Sequence, residues 1–371
     1  MKILFNDLGA QNLPLKESFL KRLDGILENS SYILDKNVSE FEESFSDFSQ
    51  RAYSIGVSNG TDAIKLCIKN FNPSAKTLVV TQANTFVATT IAILDACENV
   101  TLKLVDVNDS YQMDLDLLDE LLLQERDNYD QCIVVPVSMY GHTFNKNALA
   151  RLQTQYTFHI VEDCSQAHGS KFEDGTLAGT VGDCSAFSLY PGKNLGSIGD
   201  AGIVNTDSKE IYDNIKMMRN YGSAKKYHHD KFGYNHRLDP IQAAFLCEKI
   251  QLIKTYNAIR HEIGERYVSE ITNPLVVNFR NDFYCSYNTY HIYPVLVEDR
   301  EKFCRYLDNL GIQNGIHYPI PIEKMPAFQH YNFNNPRTVS FSERLVSLPI
   351  HPFLNESDVN YVIESVNSYK E

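Results

Sequence analysis

Three absences narrow the possible functions of this 371-residue chain. Its apolar runs are too short to span a membrane, and the amino terminus, M-K-I-L-F-N-D-L-G, turns polar too early for a signal peptide. No G-x-G-x-x-G follows an early strand, which argues against a nucleotide-dependent oxidoreductase on a doubly wound sheet. The sequence therefore predicts a cytoplasmic protein that does not enter a membrane.

The eight cysteines are scattered rather than paired. None forms a C-x-x-C pair, and most lie in apolar runs, at positions 67, 97, 132, 164, 184, 247, 285 and 304. Paired spacing marks most zinc sites and disulfide frameworks. The cysteines are therefore predicted to be buried, reduced thiols, and no metal site is predicted. Tryptophan is also absent, so tyrosine and phenylalanine must supply the aromatic surfaces.

The composition is that of a soluble globular protein, with 43% hydrophobic and 22% charged residues. A net charge of -13 argues against a nucleic-acid backbone or an anionic membrane as the main partner. It leaves room for a local basic pocket that binds a small anion. No repeat or low-complexity linker divides the chain, which is long enough for two domains.

Short apolar runs alternate with amphipathic stretches through the first half of the chain. Two helices are predicted first, over 15–28 and from a capping-box pattern at Ser39 through Phe48. Strands are predicted over 53–57, 78–81, 102–107, 132–137 and 158–162, with helices over 61–71, 86–97, 115–124 and 148–156. This alternation indicates an α/β fold with a large, mainly parallel sheet covered on both faces. Active sites in such sheets lie beyond the carboxyl ends of the strands.

The second half changes in pattern after residue 250. A helix is predicted over 208–220, an irregular basic and aromatic loop over 221–236, and a long helix from Pro240 through about Tyr267. A strand over 289–297, helices over 301–310 and 358–369, and a turn at 315–319 follow. The predicted domains are therefore a large one over 1–250 and a small α/β one over 251–371.

One lysine stands in a turn between two apolar runs. Lys193 lies in P-G-K-N-L-G, after the run 186–190 and before the run 201–204. An enclosed lysine amine can form a Schiff base with a carbonyl. A surface turn with a solvated lysine is the alternative that the residues alone leave open.

Three strand ends carry polar or aromatic side chains that suit a bound ligand. Gly60 and Thr61 open a helix after a strand, which makes an anion site or an ordinary N-cap. Asp163 could hold a proton on a heterocyclic nitrogen and Gln166 could bond a ring oxygen, or the two could be a helix cap and a loop residue. Phe86 could stack on a flat ring or pack in the core. His168 is predicted to be a loop or supporting histidine rather than a metal ligand.

In order, these stretches resemble one enzyme family. They are S-N-G-T-D-A (58–63), V-E-D-C-S-Q-A-H-G (161–169), F-S-L-Y-P-G-K-N-L-G (187–196), G-D-A-G (199–202), N-Y-G (220–222), G-Y-N-H-R-L-D-P-I-Q-A-A (233–244) and H-Y-P (317–319). The chain resembles the DegT/DnrJ/EryC1/StrS sugar aminotransferases over nearly its whole length. The resemblance implies a pyridoxal-phosphate enzyme of fold type I, the aspartate-aminotransferase fold, with a seven-stranded large domain.

The resemblance also implies roles for particular residues. Lys193 corresponds to the Schiff-base lysine and proton carrier, and Asp163 to the partner of the pyridine nitrogen. Gln166 corresponds to the contact of the ring hydroxyl, and Phe86 to the aromatic that stacks on the ring. The implied phosphate ligands are Gly60, Thr61, Ser188 and, from the neighbouring subunit, Asn235. The implied assembly is a homodimer with shared active sites.

A finer resemblance concerns the substrate. N-Y-G-S-A-K-K-Y-H-H, H-Y-P-I-P-I and L-V-S-L-P-I-H-P are similar to the branch that acts on dTDP-3-keto-6-deoxyhexoses. The implied reaction moves nitrogen from L-glutamate to C3, giving a 3-amino-3,6-dideoxy sugar of the galactose or glucose configuration for surface polysaccharide. The implied substrate contacts are Tyr221, Lys225, Tyr227, His228, Arg237, His317 and Tyr318.

Two departures and two alternatives accompany this reading. Glu323 stands where the family pattern has histidine and His236 where a small residue is common, both near the expected sugar pocket. A 4-keto aminotransferase acting on a UDP- or dTDP-sugar is the alternative within the family. A catalytically silent, cofactor-binding regulator is the alternative of another class, and intact Lys193, Asp163 and Gln166 argue against it. Lys193 also argues against the dehydrating branch, which has histidine there.

Overall fold

The computed structural model describes residues 2–225, 227–278 and 284–370. Strands within these ranges are β1 (Tyr53–Val57), β2 (Thr77–Gln82), β3 (Thr101–Val105), β4 (Gln131–Val135), β5 (His159–Asp163), β6 (Lys171–Phe172), β7 (Cys184–Ser188), β8 (Gly202–Thr206), β9 (Val277–Asn278), β10 (Cys285–Tyr287), β11 (Tyr293–Leu296) and β12 (Leu345–Leu348).

The α-helices of the described residues separate β1 to β5 from one another and also lie before β1 and after β8. They are α1 (Leu8–Asn12), α2 (Lys16–Glu28), α3 (Lys36–Ser49), α4 (Gly60–Asn70), α5 (Val87–Ala96), α6 (Leu115–Glu125), α7 (Lys146–Tyr156), α8 (Lys209–Met218), α9 (Pro240–Lys249), α10 (Ile253–Glu270), α11 (Arg300–Asn309), α12 (Pro336–Arg344) and α13 (Glu356–Ser368). In the described ranges, none of these helices is both long and apolar enough to cross a lipid bilayer.

The main sheet has seven strands in the order β1-β8-β7-β5-β4-β2-β3. Its strands pair in parallel except β8, which is antiparallel to both β1 and β7. The predicted mainly parallel, seven-stranded sheet is therefore confirmed. Parallel pairing brings the ends of β5 and β7 and the turns after β1 and β2 to one edge of the sheet.

Helices cover both faces of this sheet. One core packs α3, α6, α7 and α9 against it through buried side chains such as Phe45 and Leu246. The other packs α4, α5 and α8 through Ile64, Ile93 and Ile215. Burial on both faces explains why the strands read as continuous apolar runs.

A second sheet and its helices form a separate apolar core. Its three strands are in the order β12-β11-β9, and α10, α11 and α13 pack on it. Ile3 belongs to this core because its backbone pairs with that of Ile312, which lies far away in the sequence. The predicted boundary after residue 250 falls in a short 3-10 turn between α9 and α10, and the domain division itself stays a prediction.

Three predicted element bounds were wrong. Helix α3 begins at Lys36 rather than at Ser39, because the Asp35 carboxylate caps it by accepting the N–H groups of Asn37 and Val38. The long helix predicted from Pro240 is two helices separated by the 3-10 turn. Strand β11 begins at Tyr293, because residues 289–292 bond to loop groups and not to the sheet.

The eight cysteines are unpaired in the structure, as the spacing predicted. Cys67, Cys132, Cys164, Cys184 and Cys247 are buried and the other three are partly buried. Lys226, in the predicted loop 221–236, lies outside the described residues.

Candidate active site

A cavity of about 650 Å³ opens at the edge where the parallel strands end. Nine of the predicted site residues line it together: Gly60, Thr61, Phe86, Asp163, Gln166, Ser188, Lys193, His317 and Tyr318. They come from both halves of the chain. The volume lies in the range of sites for small ligands and cofactors.

An anion site lies where β1 leads into α4. Asn59 caps this helix by accepting the N–H of Asp62 at 2.8 Å. The first N–H groups of the helix, on Gly60 and Thr61, have no partner among the described residues, as expected for a first turn. A Cβ on Gly60 would lie 2.6 Å from Cβ of Ser188, so only glycine lets the helix start this close to the end of β7. Free donors, a helix dipole and the nearby Ser188 hydroxyl suit a phosphate.

Asp163 ends β5 as a buried carboxylate held by two donors. Its Oδ2 accepts the Thr89 hydroxyl at 2.8 Å and its Oδ1 accepts the N–H of Ser165 at 3.1 Å. Thr85 and Thr89 extend the chain of hydroxyls, with their oxygens 2.6 Å apart. The carboxylate is thus fixed in direction and faces the cavity, where it can hold a protonated heterocyclic nitrogen.

Gln166 presents its amide nitrogen to the cavity. Its Oε1 accepts the backbone N–H of Tyr140 at 2.8 Å, which fixes the orientation of the amide. Its Nε2 then donates to the Tyr318 hydroxyl at 3.2 Å. A second proton on Nε2 remains for an oxygen on a bound ring.

Lys193 projects its amine into the same cavity. Burial lowers the pKa of the Lys193 amine to about 8, and the negative charge of Asp163 partly opposes this shift. No hydrogen bond from another described residue engages Nζ. An amine with this pKa is neutral often enough near neutral pH to attack a carbonyl.

Aromatic rings close one side of the cavity. Phe86 remains 48% exposed, and its ring centroid lies 5.0 Å from that of Tyr318. His317 stacks on Phe5 at 5.4 Å, and its Nδ1 lies 2.9 Å from the Ser347 hydroxyl. Burial, with the nearby Lys193 charge, lowers the pKa of His317 to about 4, so this ring is neutral.

The remaining predicted contacts lie outside this cavity. The backbone of Asn235 forms an isolated antiparallel β-bridge with that of Asn220. The Arg237 guanidinium lies over the Tyr221 ring, 5.2 Å from its centroid. Lys225 and His228 form an isolated antiparallel β-bridge through their backbones, and Tyr227 is 83% exposed. These residues, Tyr221, Lys225, Tyr227, His228, Asn235 and Arg237, therefore do not join the site within one chain.

The two departures from the family pattern also lie off the cavity. His236 pairs through Nδ1 with Asp62 at 3.2 Å and stacks on Tyr234. Glu323 accepts the N–H of Asn335 at 2.7 Å. Neither lines the space where the predicted ligands meet.

Several lining residues were not predicted from the sequence. Among them are Phe5, Asn6, Thr89, Tyr190 and His291. Phe5 and Asn6 reach the site through the Ile3–Ile312 bridge, which no local pattern reveals. Tyr190 stands in the quoted stretch F-S-L-Y-P-G-K-N-L-G, and the four-residue spacing of Thr85 and Thr89 could have indicated that these two hydroxyls meet.

The fold and this site define a pyridoxal-phosphate-dependent transferase of fold type I. The sequence profile of the DegT/DnrJ/EryC1/StrS aminotransferase family matches residues 14–367. The chain belongs to this family, and it is a sugar aminotransferase that uses pyridoxal phosphate.

Two curated relatives and one solved structure are similar over the whole chain. The dTDP-3-amino-3,6-dideoxy-alpha-D-galactopyranose transaminase of Aneurinibacillus thermoaerophilus is 34% identical over 370 residues, covering 99% of each chain. The dTDP-3-amino-3,4,6-trideoxy-alpha-D-glucose transaminase of Streptomyces venezuelae is 30% identical, covering 100% of this chain and 97% of the relative. The structure of S. venezuelae DesV in complex with a ketimine intermediate superposes with a TM-score of 0.93 at 29% identity, covering 100% of each chain.

Proposed function

We propose that the protein transfers the amino group of L-glutamate to C3 of a dTDP-3-keto-6-deoxyhexose. The product is a dTDP-3-amino-3,6-dideoxyhexose of the galactose or glucose configuration. It is made in the cytoplasm for a surface polysaccharide, such as the O-antigen of lipopolysaccharide or an S-layer glycan. The observation that carries the proposal is the convergence of Lys193, Asp163 and the free N–H groups of α4 on one cavity.

The names of the relatives support the position of the new amino group. Both curated relatives described above are named for a dTDP-linked sugar with the amino group at C3. Each is similar to this chain over nearly its full length, which supports a related substrate for this protein.

The positions of the lining residues support the roles that the resemblance implies. Gly60, Thr61 and Ser188 would hold the phosphate, Phe86 would cover the ring, and Gln166 would donate to its hydroxyl oxygen. Asp163 keeps the pyridine nitrogen protonated, and bound pyridoxal phosphate then supplies an electron sink for the substrate carbon. Lys193 would bind the cofactor through Nζ and would use the same atom to accept a proton from the substrate carbon and to give it up again.

The two substrates share the open part of the cavity. His317 and Tyr318 contact the sugar, because both face the cavity beside Lys193 and neither carries a formal charge. Burial raises the pKa of Tyr318, so its hydroxyl stays protonated. L-Glutamate donates its nitrogen first, and the keto sugar then receives it at the same position.

The protein acts as a homodimer in which each site uses both chains. Asn235 completes the phosphate site of the partner subunit, and Tyr221, Lys225, Tyr227, His228 and Arg237 contact the partner's sugar. Exposed apolar side chains around this loop support the proposal, since Phe232 is 100% exposed and Tyr190 at the cavity edge is 57% exposed.

Complementation between two inactive variants tests the shared site. Lys193→Ala should abolish turnover, and Asn235→Ala should weaken cofactor binding. In a mixed dimer of the two variants, one site has both Lys193 and Asn235 intact, so mixing should restore up to a quarter of wild-type activity per chain if subunits exchange at random. No gain on mixing, with exchange verified by mass, would contradict shared sites.

The acceptor test separates the proposal from its alternative. The purified protein is incubated with ¹⁵N-labelled L-glutamate and a dTDP-3-keto-6-deoxyhexose, a dTDP-4-keto-6-deoxyhexose or a UDP-linked 4-keto sugar. We expect label at C3 of the first acceptor. Label at C4 of either 4-keto sugar, with none at C3, would replace the proposal with a 4-aminotransferase.

A further inference from the structure

His291 lies beside Lys193 at the end of a buried chain of amides. Its ring lines the cavity, and its Nδ1 lies 3.1 Å from Oδ1 of Asn194, the residue that follows Lys193. Its backbone N–H donates to the carbonyl of Tyr140 at 3.0 Å, which fixes the backbone at this position. The ring is therefore held in place from two sides.

The donor and the acceptor of each hydrogen bond in this series of buried amides are determined. Nδ2 of Asn257 donates to the carbonyl of His168 at 2.7 Å, and a carbonyl can only accept. Nδ2 of Asn194 donates to Oδ1 of Asn257 and to the carbonyl of Thr289, each at 3.0 Å. Two backbone carbonyls thus fix both amides, and Oδ1 of Asn194 must face His291.

This orientation selects one tautomer of the His291 ring. Because Oδ1 of Asn194 is an acceptor, Nδ1 of His291 carries the proton. Nε2 then has a free lone pair, and no group within residues 2–225, 227–278 and 284–370 bonds to it. Burial holds the pKa of His291 well below its usual value, and the positive charges of Lys193 and Arg260 act in the same direction.

We propose that His291 is a positioning residue for Lys193, accepting at Nε2 a hydrogen bond from the Lys193 ammonium after that amine has taken a proton from the substrate carbon. The inference rests on the proposed role of Lys193. The proton moves from carbon to Nζ and His291 gains none. The bond offsets part of the cost of a buried ammonium and holds Nζ in place until it gives the proton up again.

His317 is the other cavity histidine near Lys193, and it lacks this arrangement. Its Nδ1 partner is the Ser347 hydroxyl, which can either donate or accept, so the tautomer of His317 is not fixed. Only His291, of these two rings, presents a nitrogen whose state is set by backbone carbonyls.

Two substitutions test the two nitrogens of the His291 ring separately. The amide of His291→Asn reaches the position of Nδ1 and can still bond Asn194, but it leaves nothing at Nε2. The longer amide of His291→Gln brings an oxygen toward the position of Nε2. If His291 has only a structural role, the bond to Asn194 is sufficient, and His291→Asn keeps this bond. The proposed role requires an acceptor at the position of Nε2, which His291→Gln supplies and His291→Asn does not.

The readout is the pH dependence of Lys193 carbamoylation by cyanate in the cofactor-free protein, followed by mass spectrometry. Burial and Asp163 alone place the pKa of Lys193 at about 8, and a bond from the ammonium to Nε2 of His291 should hold the apparent wild-type pKa somewhat above that value. Losing an acceptor of the ammonium favours the neutral amine, so His291→Asn should lower this pKa by about one unit. His291→Gln should stay near the wild type. A wild-type value in His291→Asn, or an equal fall in both variants, would overturn the proposal.

A second measurement needs no variant to fold. Long-range ¹H–¹⁵N correlation spectra of ¹⁵N-histidine-labelled, cofactor-free wild-type protein report the tautomer of each ring. A His291 signal with the proton on Nδ1 supports the proposal, and a proton on Nε2 contradicts it. Neither measurement depends on turnover, so either can fail while transamination stands. Failure of the proposed role of Lys193 would appear separately, as turnover by Lys193→Ala, and failure of the proposed substrate would appear as label at C4 in the acceptor test.

Discussion

At the level of single residues, Asp163 combines burial with fixed hydrogen bonds. Its side chain is 3% exposed and receives the Thr89 hydroxyl and the Ser165 N–H. These bonds fix the direction of the carboxylate toward the cavity, where it would face the pyridine nitrogen of a bound cofactor.

Asp163→Asn should lower kcat on the order of 10²-fold or more, because an amide cannot stabilise the charge on the ring nitrogen. Thr89→Val is the matched control, since it removes one hydrogen bond and keeps the charge. We expect it to cost about tenfold or less. Steady-state kinetics with saturating L-glutamate and acceptor provide the comparison. Near-wild-type kcat in Asp163→Asn would show that the carboxylate does not contact the nitrogen.

Lys193 should capture its cofactor only as a neutral amine. Its pKa of about 8 lies below the ordinary 10.5, so the neutral fraction grows about tenfold per pH unit below 8 and levels above it. The rate of visible-band formation after mixing cofactor-free protein with pyridoxal phosphate should follow this curve. A rate that still rises steeply above pH 9 would indicate a solvated lysine.

At the level of elements, the start of α4 depends on one glycine. A Cβ at position 60 would lie 2.6 Å from Cβ and 2.9 Å from Cα of Ser188, and Cα belongs to the backbone of the central sheet. The helix and the strand must therefore move apart if the side chain grows, and the free N–H groups move with the helix.

Gly60→Ala should weaken the binding of pyridoxal phosphate by about tenfold or more, by displacing the phosphate donors. Gly25→Ala, in the interior of α2, is the control because a Cβ there meets nothing within 4 Å. It should raise stability by up to about 1 kcal/mol through helix propensity. Fluorescence titration of cofactor-free protein gives both dissociation constants. A wild-type affinity for pyridoxal phosphate in Gly60→Ala would show that the phosphate does not bind at the start of α4.

Sequence patterns were sufficient for elements whose signals are local. Strands β1 to β5 and the helices between them read as apolar runs and amphipathic stretches because the sheet is buried on both faces. The start of α3 was missed because two capping patterns compete within a few residues, and the one at Asp35 makes the bonds. The division of the helix after Pro240 has no glycine or proline to mark it.

The part of the site that could not be predicted depends on long-range contacts. His291 belongs to a segment read as strand, and its state is set by Asn194 and Asn257, which lie far away in the sequence. Phe5 reaches the cavity only because Ile3 pairs with Ile312. The strand-end residues could be predicted because parallel strands bring their ends together whatever else the chain does.

At the level of the whole molecule, buried neutral histidines make the fold sensitive to acid. Burial lowers the pKa of His142 to about 4, and its Nδ1 has no hydrogen-bond partner among the described residues. The unfolded chain binds a proton at about pH 6.5, whereas the native ring does not, so stability is full above that pH and falls as the pH drops toward 4.

Between pH 7 and pH 5, His142 alone should cost about 2 kcal/mol of unfolding free energy. His142→Gln should remove this part of the change in unfolding free energy between the two pH values. His330→Gln, at an exposed position, should leave that change as it is in the wild type. Urea unfolding of cofactor-free protein at the two pH values measures both slopes. The same acid sensitivity in His142→Gln would assign the effect to other groups.

The carbon that receives the nitrogen can be tested through the reverse half-reaction, which uses stable compounds. The holoenzyme is mixed with dTDP-3-amino-3,6-dideoxygalactose or with dTDP-4-amino-4,6-dideoxygalactose, and the visible absorbance of the Lys193-bound cofactor is followed. We expect the 3-amino sugar to remove this absorbance and the 4-amino sugar to leave it unchanged. Loss of absorbance with the 4-amino sugar alone would contradict it.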